Sequence, residues 1–331
     1  MIAGRPTARS DDGEWLDAAA RLSLRGRPSS RPNPAVGAIL VKNGIVVGRG
    51  WTAHGGRPHA EAMALAQAAS LARGATAFVT LEPCAHRSAR GPACADGLVA
   101  AGVARVVVGV IDPDPRTAGQ GIARLRDAGI EAEIVDHQAC RASLAGYLIR
   151  STLGRPHVTL KLATSLDGRI AHAEGADRWI TGEAARAHVH SHRALADAIL
   201  VGGGTWRMDA PRLDVRLAGL ENRSPERWVL SRSAIDGVRT IASPDAIQTL
   251  EGIQYLYVEG GAQAAAAFLE ADFVDRIELY TAPIEIGGQG MDVLAEIGLR
   301  DLDATHGRWR AVDRRQLGSD LFTAYERHGG R

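Results

Sequence analysis

Two cysteines at positions 84 and 94, lying downstream of His59 and Glu61, constrain this chain more than any other feature. The sequence holds only 3 cysteines in 331 residues, so a pair this close together is not incidental packing. Three residues this far apart act together only if the fold brings them to one point. "HAEAMALAQAASLA" (59–72) is rich in Ala and Leu and reads as a helix. "ATAFVTL" (75–81) reads as a strand, and it stops just before Pro83 and Cys84. "PACADGLVAAG" (92–102) reads as a second helix. The pattern therefore requires a layered α/β unit in which a strand end and two helix starts converge.

Such a convergence suits zinc. A catalytic zinc takes three protein ligands and keeps a fourth position open for water. His59, Cys84 and Cys94 offer one imidazole and two thiolates, which balance the charge of the ion while it still acidifies its water. A thiol at a helix start has a lowered pKa and binds metal readily. His86, two residues after Cys84, is the competing ligand and ranks below Cys94. Glu61, two residues past His59, points to proton transfer between that water and a leaving amine. Zinc nucleobase deaminases carry His-x-Glu followed by Pro-Cys-x-x-Cys; here the first part is present and the cysteines are spaced more widely.

Composition narrows the class. The hydrophobic share of 45% and charged share of 23% are globular values, with room for two domains. Net charge is +1 with no basic block, which argues against a nucleic-acid partner. The first residues, "MIAGRPTARSDDGEW", lack an apolar signal core, and no apolar run of about 18 residues offers a membrane span. Sparse cysteine suggests a cytoplasmic, reducing setting.

Strands and helices alternate through the chain, so the fold class is α/β with two domains. A hairpin, "AVGAILV" and "IVVGRG" around "KNG", opens a mixed sheet that continues as alternating helices and strands. Gly154 and Pro156 mark a boundary, giving domains at 1–150 and 155–331. The second half twice runs an apolar strand into glycines and a helix, "DAILVGGGT" and "YLYVEGGAQAAAAFL". Helix starts of this kind hold phosphate through free N–H groups and the helix dipole. The tail "RWRAVDRRQLGSDLFTAYER" reads as a closing hairpin, and 238–252 carries weak structure signals.

"NPAVGAILVKNGIVVGRGW", "PHAEAMAL" and "TLEPCAH" with "PACADGL" resemble the deaminase half of the bifunctional riboflavin-biosynthesis deaminase–reductases. "RPHVTLKLATSLDGRIA", "APRLDVR", "VEGGAQAAAAFL" and "GSDLFTAYER" resemble the reductase half of the same family, so the likeness covers almost the whole chain. It implies a cytidine-deaminase-like three-layer α/β/α domain followed by a dihydrofolate-reductase-like α/β domain. It implies Zn2+ and NADPH as cofactors and a small phosphoribosylaminopyrimidine as substrate. The ring would lose an amino group, and the ribosyl chain would then be reduced to ribityl. A homo-oligomer is also implied.

Residue by residue, the resemblance gives His59, Cys84 and Cys94 as zinc ligands and Glu61 as proton carrier, with Asn33 against the substrate. In the second half it gives Ala163, Trp179, Thr205, Asp209 and the run Gly261, Ala262, Gln263, Ala264, Ala265, Ala266 and Ala267 as cofactor contacts. Asp177, Arg193, Leu213, Arg216 and Glu259 match substrate positions. Lys161 and Asp209 are the polar groups expected at the reacting carbon, one to polarise and one to protonate. Arg193 and Arg216 suit a phosphate clamp. Departures accompany the likeness: Thr52 and Met63 stand where the family usually has histidine, and the segment between Trp228 and Tyr255 is short. That shortness predicts a missing strand and helix on the cofactor side, and so weaker NADPH binding. Two other readings are a deaminase with a scaffold second half, and an RNA or nucleoside deaminase fused to an unrelated domain.

Overall fold

The computed structural model describes residues 11–86, 91–170, 180–287, 291–292 and 308–327. It divides into two compact units, Met1–Gly154 and Arg155–Arg331.

In the first unit, helix α1 (Asp12–Ser23) precedes a hairpin of β1 (Gly37–Lys42) and β2 (Ile45–Trp51). Asn43 and Gly44 both have positive φ, which a two-residue hairpin turn demands. Then follow α2 (Ala60–Ala68), β3 (Thr76–Leu81), α3 (Cys94–Ala101), β4 (Arg105–Val110), α4 (Gln120–Asp127), β5 (Glu131–Ile134) and α5 (Gln138–Leu153). The sheet order is β2-β1-β3-β4-β5; β1 runs antiparallel to both β2 and β3, and β3, β4 and β5 run parallel. Helix α1 packs with α5, while α2 packs with α3 and α3 with α4, forming two helical layers about the sheet. Every residue of β4 is buried, as expected of a strand covered on both faces.

Helix α2 lies unusually close to the sheet. A Cβ on Gly48 or Gly50 would sit 2.2 Å from the carbonyl oxygen of Ala64 or Ala60 respectively. Those two glycines of β2 let the helix settle onto the strand, and so fix the height at which its first turn projects. Thr52 is buried and its hydroxyl accepts from the Val36 amide at 2.9 Å, so this side chain braces the start of β1. A buried ionic cluster closes the far edge: the Arg105 guanidinium spans both oxygens of Asp12, at 2.8 and 2.7 Å, and also meets Glu133.

The second unit contains β6 (His157–Thr164), β7 (Arg169–Ile170), α6 (Glu183–Arg193), β8 (Ala198–Gly202), α7 (Gly203–Asp209), β9 (Glu226–Leu230), β10 (Arg239–Ile241), β11 (Tyr255–Glu259), α8 (Ala262–Glu270), β12 (Arg276–Thr281), β13 (Met291–Asp292), β14 (Trp309–Leu317) and β15 (Asp320–Arg327). Eight strands form one sheet in the order β10-β9-β8-β11-β6-β12-β15-β14, and β7 pairs with β13. All neighbours from β10 to β12 are parallel; the β14–β15 hairpin adds antiparallel to β12. Strand β6 alternates half-buried and buried residues along its length. Val158, Leu160 and Leu162 enter one apolar core with Phe268 and Ile277. Tyr257, Tyr280 and Phe322 belong to a second apolar cluster with Ile199 and Val189.

The expectation of a missing strand between Trp228 and Tyr255 needs correction. Strand β10 is present in short form, parallel to β9, and a 3-10 helix over Pro244–Thr249 occupies the stretch where the helix was expected to be missing. Ile241, Ile247, Leu250 and Ile253 bury this segment against the core, which explains how so polar a stretch holds its place. No described helix is long and apolar enough to cross a membrane.

Candidate functional site

The first site forms where α2 and α3 begin and β3 ends. His59 is the N-cap of α2, with extended backbone, and Glu61 lies in the first helical turn. Cys94 is the first residue of α3. Cys84 lies on the short crossing that follows β3. Among the described residues, His59, Cys84 and Cys94 form a potential metal cluster with all ligand atoms within 4.8 Å of one another. His59 Nδ1 lies 3.1 Å from Cys94 Sγ and 3.7 Å from Cys84 Sγ. Tetrahedral zinc bonds of about 2.3 Å to sulfur and about 2.0 Å to nitrogen place donors roughly 3.5–3.8 Å apart, so the trio fits the ion.

Both helix starts point their partial positive charge at the thiols, and the Cys94 amide donates to Cys84 Sγ at 3.3 Å. The Cys94 hydrogen bond, with help from His59, pulls the Cys84 thiol down to about 4, while the same contact and burial push Cys94 up. Glu61 is buried beside the trio, and desolvation raises its pKa despite the nearby imidazole. His86 does not join the cluster; its Nδ1 lies 3.4 Å from Thr117 Oγ1. Asn33 packs against Gly56, so close that a Cβ there would overlap its side-chain amide.

Glu82 had no assigned role in the sequence reading, yet it organises this site. Its buried carboxylate accepts from the amides of Gly119 at 3.0 Å and Ile122 at 3.2 Å, tying the start of α4 to the segment that bears Cys84. Tyr147 hydroxyl donates to Asp112 at 2.7 Å behind it. The only sequence signal was the Glu-Pro before the cysteine.

In the second unit the two glycine turns meet. Strands β8 and β11 are neighbours, and their C-terminal ends lead into α7 and α8. A Cβ on Gly261 would lie 3.3 Å from Thr205 Oγ1, which puts both helix starts side by side. Ala264 and Ala265 are buried under this turn, Gln263 is exposed, and Ala262, Ala266 and Ala267 are half-buried. Adjacent strand ends with free helix N-termini form the crevice that dinucleotides use in open α/β sheets.

Lys161 and Ala163 lie on β6, half-buried. Sheet register places Glu259 beside Lys161 on β11 and Glu278 beside it on β12. Burial lowers the Lys161 pKa, while Glu259 and Glu278 oppose that and Arg193 adds to it. Arg193 is buried and its guanidinium is already engaged: it grips Glu259 at 2.6 and 2.8 Å and donates to the Asp214 carbonyl at 2.9 Å. A bidentate phosphate clamp is therefore not what Arg193 presents. Arg216 is the exposed cation of the pair, with Asp214 at 3.5 Å. Leu213 is buried at positive φ. Asp209 is exposed at the end of α7. Asp177 and Trp179 lie outside the described residues.

Residues 9–110 match the cytidine and deoxycytidylate deaminase zinc-binding region, and residues 156–323 match the RibD C-terminal domain. The chain is 34% identical to the riboflavin biosynthesis protein RibD of Aquifex aeolicus, across 97% of this chain and 99% of that one. It is 35% identical to the protein of the same name from Escherichia coli, across 94% and 98%. Among solved structures, Acinetobacter baumannii RibD superposes with a TM-score of 0.82 at 34% identity, covering 96% of this chain and 99% of that one. A diaminohydroxyphosphoribosylaminopyrimidine deaminase/5-amino-6-(5-phosphoribosylamino)uracil reductase from Thermotoga maritima gives a TM-score of 0.82 at 29% identity, with the same coverages of 96% and 99%.

Proposed function

The chain belongs to the RibD family of riboflavin biosynthesis, as a bifunctional deaminase–reductase that uses zinc in its first half and NADPH in its second, and from that premise we propose which residues do the work. The substrate we assign is the diaminopyrimidinone carrying a phosphoribosylamino group, by likeness to the Thermotoga maritima protein. The observation that carries the deaminase assignment is the convergence of His59, Cys84 and Cys94 around one point, with Glu61 buried beside them.

Zinc held by that trio would supply Lewis acidity that makes water a nucleophile near neutral pH. Glu61 takes the proton from the attacking water and passes it to the exocyclic ring nitrogen, which leaves as ammonia. Burial suits this exchange, because a carboxyl with a raised pKa holds a proton more readily and can both accept and return one. Asn33 orients the ring. Glu82 acts through position alone, by holding the loop before α4 against the Pro83–Cys84 crossing.

NADPH supplies the hydride for the second reaction. We assign its phosphates to Thr205 and to the turn from Gly261 to Ala267, and Ala163 and Trp179 to its nicotinamide side. Lys161 polarises the sugar carbon that bears nitrogen, and Asp209 donates the proton. Glu259 faces substrate with its carboxylate fixed by Arg193, so Arg193 serves substrate indirectly. Arg216 supplies the exposed cation for the substrate phosphate, with Leu213 and Asp177 alongside. A cytoplasmic setting suits the buried free thiols, and a homo-oligomer remains our proposal, testable by sedimentation. Purified protein given the diaminopyrimidinone without NADPH should release one ammonia and yield the deaminated ribosyl compound. Absence of that product in a zinc-loaded sample would contradict the assignment.

A further inference from the structure

The face of the reductase sheet that carries Lys161 is covered by α6, and a dense polar network fills the space between them. Glu278 lies at its centre and is 2% exposed. His192 Nδ1 lies 2.8 and 2.7 Å from its two carboxylate oxygens, so that nitrogen carries the proton. Tyr257 hydroxyl donates at 2.9 Å and Arg276 Nε at 3.0 Å. The mechanism above uses none of these groups. A buried carboxylate with this many donors is expensive to assemble, because each partner is ordered for it.

Register explains what it faces. Glu278 is the β12 partner of Lys161, just as Glu259 is its β11 partner. Neighbouring strands lie about 4.8 Å apart, so two glutamates flank one lysine on a single face, and both carboxylates act on its ammonium through space. The Lys161 ammonium has no hydrogen-bond partner among the described residues, which leaves its protons for substrate. Glu259 is held on both oxygens by Arg193. Arg276 is shared between Glu278 and Glu326. The cations Lys161, Arg193 and Arg276 therefore face the anions Glu259, Glu278 and Glu326, with His192 bonded to Glu278. Of the other titratable neighbours, Tyr257 and Tyr280 are pushed up by burial, His188, bonded to Tyr280 at 2.8 Å, is pushed down to about 4 by burial and His192, and His190, beside Arg193 and Glu259, is pushed down by burial; Asp214 acts on Arg193 from its far side. Arg315 and Asp313 on β14 oppose each other at 2.6 Å.

We propose that Glu278 is a positioning residue of the reductase: its carboxylate, fixed by Tyr257, Arg276 and His192, holds Lys161 as the ammonium that acts at the sugar carbon. Removing that one negative charge makes the surroundings of a half-buried amine one unit more positive, so the amine gives up its proton more easily. The proposal rests on the reading of Lys161 as the cation at the reacting carbon.

The test measures reduction by the full-length, zinc-loaded enzyme across pH, supplying NADPH and the already deaminated ribosyl substrate. Glu278→Gln keeps shape and removes charge. Its alkaline limb should move at least one pH unit toward acid, lowering kcat about tenfold on that limb, with KM changing far less. Glu278→Gln/Arg276→Met removes one charge of each sign and should return the limb toward its original position. A kcat lowered equally at all pH, or a double variant that is not rescued, would overturn the proposal in favour of a merely structural Glu278. Lys161→Ala separates the two readings: full activity there sinks the role of Lys161 itself, whereas loss there with an unmoved Glu278→Gln limb sinks only this proposal. If Glu278→Gln lacks a cooperative unfolding transition, Tyr257→Phe takes its place. That change weakens the hold on Glu278 without removing charge, so it should move the limb in the same direction by less, and an unmoved limb would count against us.

Discussion

The two halves of this chain build their polar centres in opposite ways. The metal trio and its proton carrier fall between positions 59 and 94, on two helix starts and one strand end that touch. The cluster around Lys161 draws on α6, β6, β11, β12 and β15, from position 161 to position 326. A metal supplies its own organising force, so its ligands need only arrive within reach. A hydride-transfer site has no such anchor; its charges must be held in place by one another through the sheet. The first site should therefore fail by losing its ion, and the second by losing its balance of charge.

Several substitutions sharpen or break that contrast. Cys94→Ala should reduce zinc from one per chain to nearly none and abolish deamination, while reduction of pre-deaminated substrate continues; metal analysis with both assays reads this. Zinc that survives Cys94→Ala but not His86→Ala would move the third ligand to His86. Glu61→Gln should keep zinc and slow deamination by roughly 10²–10⁴, the scale of general acid–base catalysis. Arg193→Met removes the buried guanidinium that holds both oxygens of Glu259, which should destabilise the second unit by about 3–5 kcal/mol in denaturant unfolding, with zinc content unchanged. An effect below about 1 kcal/mol would mean the pair is solvated and the contrast overdrawn. Thr205→Val, beside Gly261, should weaken NADPH binding by about fivefold, near 1 kcal/mol, in a fluorescence titration.

The same contrast explains what was legible in the sequence. His59, Glu61, Cys84 and Cys94 could be named because residue type and local spacing carry metal chemistry. The hairpin at Asn43–Gly44 and the two glycine turns were legible for the same local reason. Glu278 and His192 were not, because nothing in "IELY" or "VHSHR" says that β12 pairs with β6 under α6. Arg193 was readable as a cation but not as the partner of Glu259, since the strand order β8-β11-β6 decides that meeting. Strand β10 was missed because its three residues carry too little pattern; pairing with β9 and burial of Ile241 and Ile247 hold it in place. Glu82 was missed because its partners are backbone amides, which every sequence offers.

The central claim is that one chain performs two successive reactions at two separately built sites. The most direct measurement incubates the purified, zinc-loaded protein with the diaminopyrimidinone substrate, with and without NADPH, and identifies products by mass. Without NADPH the account predicts the deaminated ribosyl compound alone; with NADPH it predicts that compound gaining two hydrogens as its sugar opens to ribityl. Deamination with no further mass change at saturating NADPH would contradict it, reducing the second half to a scaffold.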